Sequence, residues 1–322
     1  MYELLLDNKN GNVWDIGDSA SDIAWKTGRA GKAGSLEFSF IKNPLYQHKA
    51  FTVNNGDVVR FKKDNSSIFY GYIFNIEEGS GDEVKITAYD QIRYLLNNAT
   101  YVFKNSTASS ILRRLAADFK LTLGKVDDTG YAVPSMIEDG QKLLDIVCKA
   151  LDATLTQTGR NYFLFDDFGA LSLRLSDDFL MDFYLGPESL LYDFSAKRSI
   201  DSDTFNRIKL YRDNQNTGRR EVYQLDDSSS MAKWGLLQLY QSVDENYNGA
   251  QINQMLNSLM ALKNRESKSL QLEALGEVRV RAGCYIPVVI EEFGINQPFL
   301  IEECTHNFKG SEHTMSLELK VI

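Results

Sequence analysis

Hydrophobic and polar positions divide the chain into three regimes. From about residue 22 to residue 90 the period is two. The runs "DIAWKTGR" and "SLEFSFI" flank the glycine-rich "AGKAG", and "GDVVRF", "SIFYGYIFNIEE" and "VKITAYD" follow, the last two separated by "GSGDE". In "VKITAYD", Val84, Ile86 and Ala88 alternate with polar residues. Alternation broken by Gly, Ser and Asp predicts a strand meander with one buried face. The middle third changes period. Ser106 and Thr107 precede Ile111, Leu112, Leu115, Ala116 and Phe119, a helical stripe whose first free N–H groups a hydroxyl can cap. Leu143, Leu144, Val147, Cys148 and Leu151 repeat that spacing, and "NYFLF" and "ALSLRL" around "DDFG" predict a hairpin. Strands return at "TFNRIKLYRDN" and "RREVYQL". A helix over 249–264, with Ile252, Met255, Leu256, Leu259 and Met260 on one stripe, interrupts them before "SLQLEAL". The expected fold class is α+β, mainly β.

The two β regions echo each other. "GDVVRF" from Gly56 parallels "AGCYIPVVI" around Gly283, and the pair "YIFNIEE" and "VKITAYD" parallels "FLIEECTHNF" and "TMSLELKV". With Gly79 set on Gly310, Val84, Ile86 and Ala88 fall on Met315, Leu317 and Leu319, which keeps the inward face. The strand before the turn then needs a shift of about one residue, the size of a β-bulge.

Totals narrow the function classes. A chain of 322 residues predicts two or three compact units. A net charge of −9 disfavours general affinity for a nucleic-acid backbone, which needs clustered cations, and no direct specific nucleic-acid binding is expected. The three cysteines, Cys148, Cys284 and Cys304, form no CxxC pair, against a disulfide framework or structural zinc. No apolar run reaches membrane-spanning length, and "MYELLLDNKNG" lacks the pattern of a secretion signal.

Candidate chemistry is sparse. Cys304 and His306 stand two apart in "EECTHNFKG", with His313 across a predicted turn. Alternate strand residues share a face, yet their spacing of roughly 6 to 7 Å predicts no nucleophile pair, and the buried structural reading is favoured. "GRAGKAGS" lacks the spacing of a phosphate loop and reads as a basic hairpin tip carrying Arg29 and Lys32. "DDFG" sits where a hairpin must turn, without the other parts of a kinase site. The doublets Asp127-Asp128, Asp177-Asp178 and Asp226-Asp227 fit no twelve-residue calcium loop.

Several stretches, in order, resemble one family. "WDIGDSASDIAWKTGRAGKAGSLEFSF", "AYDQIRYLLNNATYVFKNSTASSIL", "ALDATLTQTGRNYFLFDDFGALSL" and "LGEVRVRAGCYIPVVI" are similar to baseplate hub proteins of contractile phage tails, the PBSX-like YqbQ/XkdQ type, and more loosely to late control protein D hubs. The resemblance implies a homotrimeric ring joining a six-fold tail tube to a three-fold central spike, with two tube-like β-barrels per chain. It places the first barrel at 1–103, a small α+β module at 104–185, and a second barrel at 186–322 around a helical insert at about 231–267. The implied partners are the tail tube protein, the spike, the tape-measure protein and other baseplate proteins. No enzyme activity, cofactor, metal or membrane is implied, and the location is the tail baseplate of a phage or phage-like particle made in the bacterial cytoplasm. Arg29 and Lys32 are expected to contact a neighbouring chain, and His306 to bond within the second barrel or at a subunit contact. The rival expectation is a tail-associated cell-wall hydrolase.

Overall fold

A computed structural model describes residues 2–42, 48–201, 203–214, 218–245 and 247–320. The N-terminal region holds β1 (Tyr2–Asp7), β2 (Val13–Asp15), β3 (Ala20–Gly28), β4 (Ser35–Ile41), β5 (Val58–Lys63), β6 (Ser66–Glu78) and β7 (Glu83–Tyr89). The middle holds β8 (Asn98–Thr107), α1 (Ala108–Asp118), β9 (Leu123–Val126), β10 (Ala132–Lys142), α2 (Leu143–Thr158), β11 (Tyr162–Asp166) and β12 (Leu171–Leu175). The remainder holds β13 (Leu191–Ser199), β14 (Arg207–Asn214), β15 (Arg219–Asp226), α3 (Ser228–Trp234), β16 (Gln238–Ser242), α4 (Gly249–Lys263), β17 (Ser267–Leu275), β18 (Tyr285–Ile290), β19 (Ile295–Lys309) and β20 (Glu312–Lys320).

Local chemistry explains the boundaries. The Thr107 side chain accepts a hydrogen bond from the Ser110 N–H at 3.2 Å and starts α1, while Gly159, at φ 71°, ends α2 in the left-handed region. Asn248 and Gln251 cap α4 reciprocally. Strand β1 escaped the alternation reading because Leu5 separates Leu4 and Leu6, so the inward pair is masked within a three-leucine run. Both flanking leucines are fully buried.

Twelve strands form one antiparallel sheet in the order β2-β1-β5-β6-β7-β4-β3-β19-β20-β17-β13, with β18 beside the first half of β19. Within it, β3-β4-β7-β6-β5 and β13-β17-β20-β19-β18 have the same order. The duplication reaches single hydrogen bonds. Gly56 N–H donates to the Ile73 carbonyl at 2.7 Å, and Gly283 N–H donates to the Ile301 carbonyl at 2.8 Å. Both glycines hold positive φ, 88° and 92°. Val84, Ile86, Ala88, Met315, Leu317 and Leu319 are all buried, as the echo requires.

Three expectations about the fold need correction. The one-residue shift between copies is not a bulge in one of them: β6 carries a register shift between Ile73 and Asn75, and β19 an equivalent one between Ile301 and Glu303. The real difference lies at the hairpin tip. After the equivalent pairs Glu78–Val84 and His306–Met315, β6 and β7 separate into a loop, whereas β19 and β20 continue through Asn307–Thr314, Phe308–His313 and Lys309–Glu312 around Gly310 and Ser311. The second hairpin is thereby three residues longer. Nor, among the described residues, does either copy close into a barrel. Closure requires the end strands of a copy to pair, but β3 pairs with β19 of the other copy, and β13 has β17 as its strand neighbour among the described residues.

Among the described residues, the large sheet supports two of four cores. Leu4, Leu6, Trp25, Leu36, Phe38, Phe61, Ile73 and Ile86 form the first, into which the longer hairpin inserts Phe308. Leu270, Leu272, Cys284, Ile286, Val288, Leu317 and Leu319 belong to the second. Between them in sequence, α1 and α2 cover the β8–β10 pair and the β11-β12-β9 sheet. Strands β14 and β15, which the sequence reading gave to the second barrel, instead form a three-stranded sheet with β16, and α4 covers its apolar face through Ile252, Leu256 and Leu259.

Candidate functional site: the seam between the sheet copies

The copies meet where β19 lies antiparallel to β3. Glu303 pairs with Gly28, Cys304 with Thr27, Thr305 with Lys26, His306 with Trp25, Asn307 with Ala24 and Phe308 with Ile23. Arg29 extends the ladder: its backbone N–H donates to the Glu302 carbonyl at 2.9 Å, and its guanidinium Nε donates to both Glu302 carboxylate oxygens, at 3.0 and 3.1 Å. Lys32 pairs with Glu303 beside it. The basic tip between β3 and β4 therefore has acidic partners inside its own chain, on residues 273 and 271 positions away. Sequence spacing gives no hint of that.

Behind the ladder, His306 is fully buried and His313 is 9% exposed. Lys63 Nζ lies 2.8 Å from His313 Nδ1, His313 Nε2 lies 2.9 Å from His306 Nδ1, and His306 Nε2 lies 2.8 Å from the Val280 carbonyl. One set of neutral tautomers satisfies every atom. Lys63 donates to His313, His313 donates to His306, and His306 donates to Val280. Trp25 stacks on the His306 ring at 4.9 Å, and Phe308 on His313 at 4.3 Å. Burial drives the His306 imidazole down to about 4, and burial with the neighbouring His306 takes His313 to about 3.

Cys304 and His306 do meet, contrary to the spacing argument. Backbone separation in a strand is large, but the side chains lean together and Cys304 Sγ reaches 3.1 Å from His306 Nε2. The contact still offers no nucleophile. Cys304 is fully buried, and burial holds its thiol well above the ordinary range, while His306 has its Nε2 proton committed to Val280. Among the described residues no group of three His, Cys, Asp or Glu side chains has metal-binding geometry. The surface over the seam is an open cleft lined by Lys26, Lys32, Arg93, Lys142 and Glu303.

A second buried cluster joins the seam to the middle region; the sequence reading marked the "DDFG" stretch that supplies Asp166 and Gly169, but not its meeting with Asp90 and Arg281. Asp90 accepts from the Gly34 and Ile92 N–H groups, each at 2.9 Å, and Asp166 accepts from the Gly169 N–H at 2.5 Å. Arg281 donates to the Asp166 carbonyl at 3.1 Å and stacks 4.2 Å over Phe165. Burial, then the charge of Asp166, pushes the Asp90 carboxyl well above its usual range. The "DDFG" stretch is the β11–β12 turn, with Phe168 and Gly169 at positive φ of 50° and 93°.

The fold is that of phage-tail proteins. Over 98% of both chains it matches the 43 kDa tail protein of prophage MuSo2 from Shewanella oneidensis, with a TM-score of 0.72 at 13% identity. It also matches the E. coli c3393 protein, described as a type VI secretion component structurally similar to T4 tail proteins gp27 and gp5, over 98% of this chain and 76% of that one, with a TM-score of 0.58 at 10% identity. Within this class, the YQBQ-like family model matches residues 23–320, and the chain belongs to that family. Two Bacillus subtilis (strain 168) proteins align with 84% of the chain: the uncharacterized protein YqbQ at 34% identity over 83% of its length, and the phage-like element PBSX protein XkdQ at 33% over 82%.

Proposed function

We propose that this protein is the structural baseplate hub of a contractile tail, a homotrimeric ring that joins a six-fold tube to a three-fold central spike. One observation carries the reading: each chain contains the same five-strand order twice, joined edge to edge through β3 and β19. Three such chains present six near-equivalent sheet copies on one face and three copies of everything else on the other. Duplication of this kind reconciles six-fold and three-fold neighbours without catalysis, because only the copied strands must match the tube. Arg29, Lys32 and His306 then lie at the ring contact internal to each chain. The tube, the spike and the tape-measure protein are its partners, and the non-copied parts, residues 92–175 and 204–265, are free to differ between faces.

Native mass spectrometry of the chain, and cryo-electron microscopy of tails carrying it, test this reading. A species of three chain masses and a single ring of six sheet copies between tube and spike are expected. A tail in which one or two copies occupy that level overturns it.

A further inference from the structure

We propose that neighbouring copies close the ring by strand addition, with β13 of one chain pairing antiparallel to residues 74–78 of β6 in the next, in a register that the internal seam dictates. This rests on the hub reading, and it commits that reading to two named strand edges. In the second copy, β19 has β20 on one side and, on the other, β18 along its first half and β3 along its second. In the first copy, β6 has β7 on one side and β5 along residues 66–72 on the other. The half of β6 equivalent to the β3-bound half of β19 has β7 on one side and no strand on the other among the described residues. Strand β13, equivalent to β3, likewise has a free side, and all of Ser195, Ala196, Lys197 and Arg198 are exposed. Long unpaired edges of this kind invite pairing with another chain.

The equivalences fix the register. Ile76 corresponds to Cys304 through their partners Ile86 and Leu317, and Ala196 corresponds to Trp25 through Leu270 and Leu36. Transferring the β3–β19 pairing gives Asn75 opposite Ser199, Ile76 opposite Arg198, Glu77 opposite Lys197 and Glu78 opposite Ala196. Charges then agree on both faces: Glu77 faces Lys197, and Glu78 lies diagonal to Arg198, within reach of a long side chain. Phe74 and Ile200 take the places of Glu302 and Arg29, so a half-buried apolar pair replaces the ion pair of the internal seam. This contact is heterologous and can close on itself only as a ring.

The test is a disulfide placed by that register. Because the Arg29 N–H donates to the Glu302 carbonyl, which makes Arg29–Glu302 the hydrogen-bonded position, the equivalent of the adjacent Gly28–Glu303 position, Ser199 with Asn75, is a non-hydrogen-bonded pair whose Cα separation suits a disulfide. In tails assembled from Asn75→Cys/Ser199→Cys chains, and in the purified full chain, mild oxidation is expected to give a ladder ending in a covalent trimer. The shifted pair Asn75→Cys/Arg198→Cys is expected to link at least tenfold less. A trimer by native mass without the ladder, or a ladder equally strong in the shifted pair, overturns the pairing while leaving the hub reading intact. Absence of both trimer and ladder in tails and purified chain overturns both. Restoration of trimer in a Glu77→Lys/Glu78→Lys chain by Lys197→Glu/Arg198→Glu is the second expected result, and no rescue counts against the register.

Discussion

Gly56 and Gly283 occupy equivalent positions with nearly the same positive φ, yet their surroundings differ. A methyl group at Gly56 would meet nothing within 4 Å, whereas at Gly283 it would lie 2.1 Å from Cδ2 of the buried Phe163 ring. Gly56→Ala is expected to cost about 1–2 kcal/mol from left-handed backbone strain alone. Gly283→Ala adds overpacking of about 1–3 kcal/mol. Urea unfolding of the two variants checks the ordering, and equal losses would contradict the Phe163 contact. The histidine pair makes a pH prediction at the same scale. The folded pKa of His306 is about 4, below the ordinary value of 6.5. Between those values the unfolded chain binds a proton that the folded chain does not, so this contribution is complete above about pH 6.5 and is lost as pH falls toward 4. Its size is on the order of 3 kcal/mol for His306. Imidazole nitrogen shifts should show both rings neutral at pH 5; a charged ring there would refute the donor chain from Lys63 to Val280.

At the scale of elements, the seam depends on β3 and β19 meeting in one register, and half-buried Arg29 and Glu302 mark its end. Arg29→Glu sets two carboxylates side by side and is expected to cost about 1–2 kcal/mol, with most of the loss recovered in Arg29→Glu/Glu302→Arg. Chemical denaturation of the two single variants and the double variant measures that coupling. Helix α1 is a simpler case, legible from Thr107 and the apolar stripe behind it. Loss of its cap in Thr107→Ala is expected to cost about 1 kcal/mol, read as a lower midpoint in the same unfolding experiment.

For the whole molecule, duplication makes a comparison of two surfaces possible. Ile41 and Leu275 end equivalent strands and are each 54% exposed, on the rim beside the two hairpin tips. Under the hub reading they become six apolar points facing the six-fold partner. Ile41→Asp and Leu275→Asp are expected to weaken attachment of the tail tube to a similar degree, measured as the fraction of tails with tube joined to baseplate. A strong effect from one and none from the other would separate the two copies functionally.

The sequence by itself determined the periods, and with them the helices α1, α2 and α4, most strands and the inward faces, while the short α3 went unread. Alternation and stripe spacing are local consequences of strand and helix geometry, and each copy of Val84-Ile86-Ala88 needs no distant residue to be read. Even the glycine pair at 56 and 283 was visible as an echo. Tertiary structure alone decided what the edges do. Whether a copy closes into a barrel or stays open depends on hydrogen bonds between residues such as Arg29 and Glu302, 273 positions apart, and no local pattern records which edge a strand will find. The second hairpin, which sends Phe308 into the first copy's core, is longer by three residues that the sequence reading took as a shift of about one. Their consequence appeared only once a neighbouring core existed to receive them.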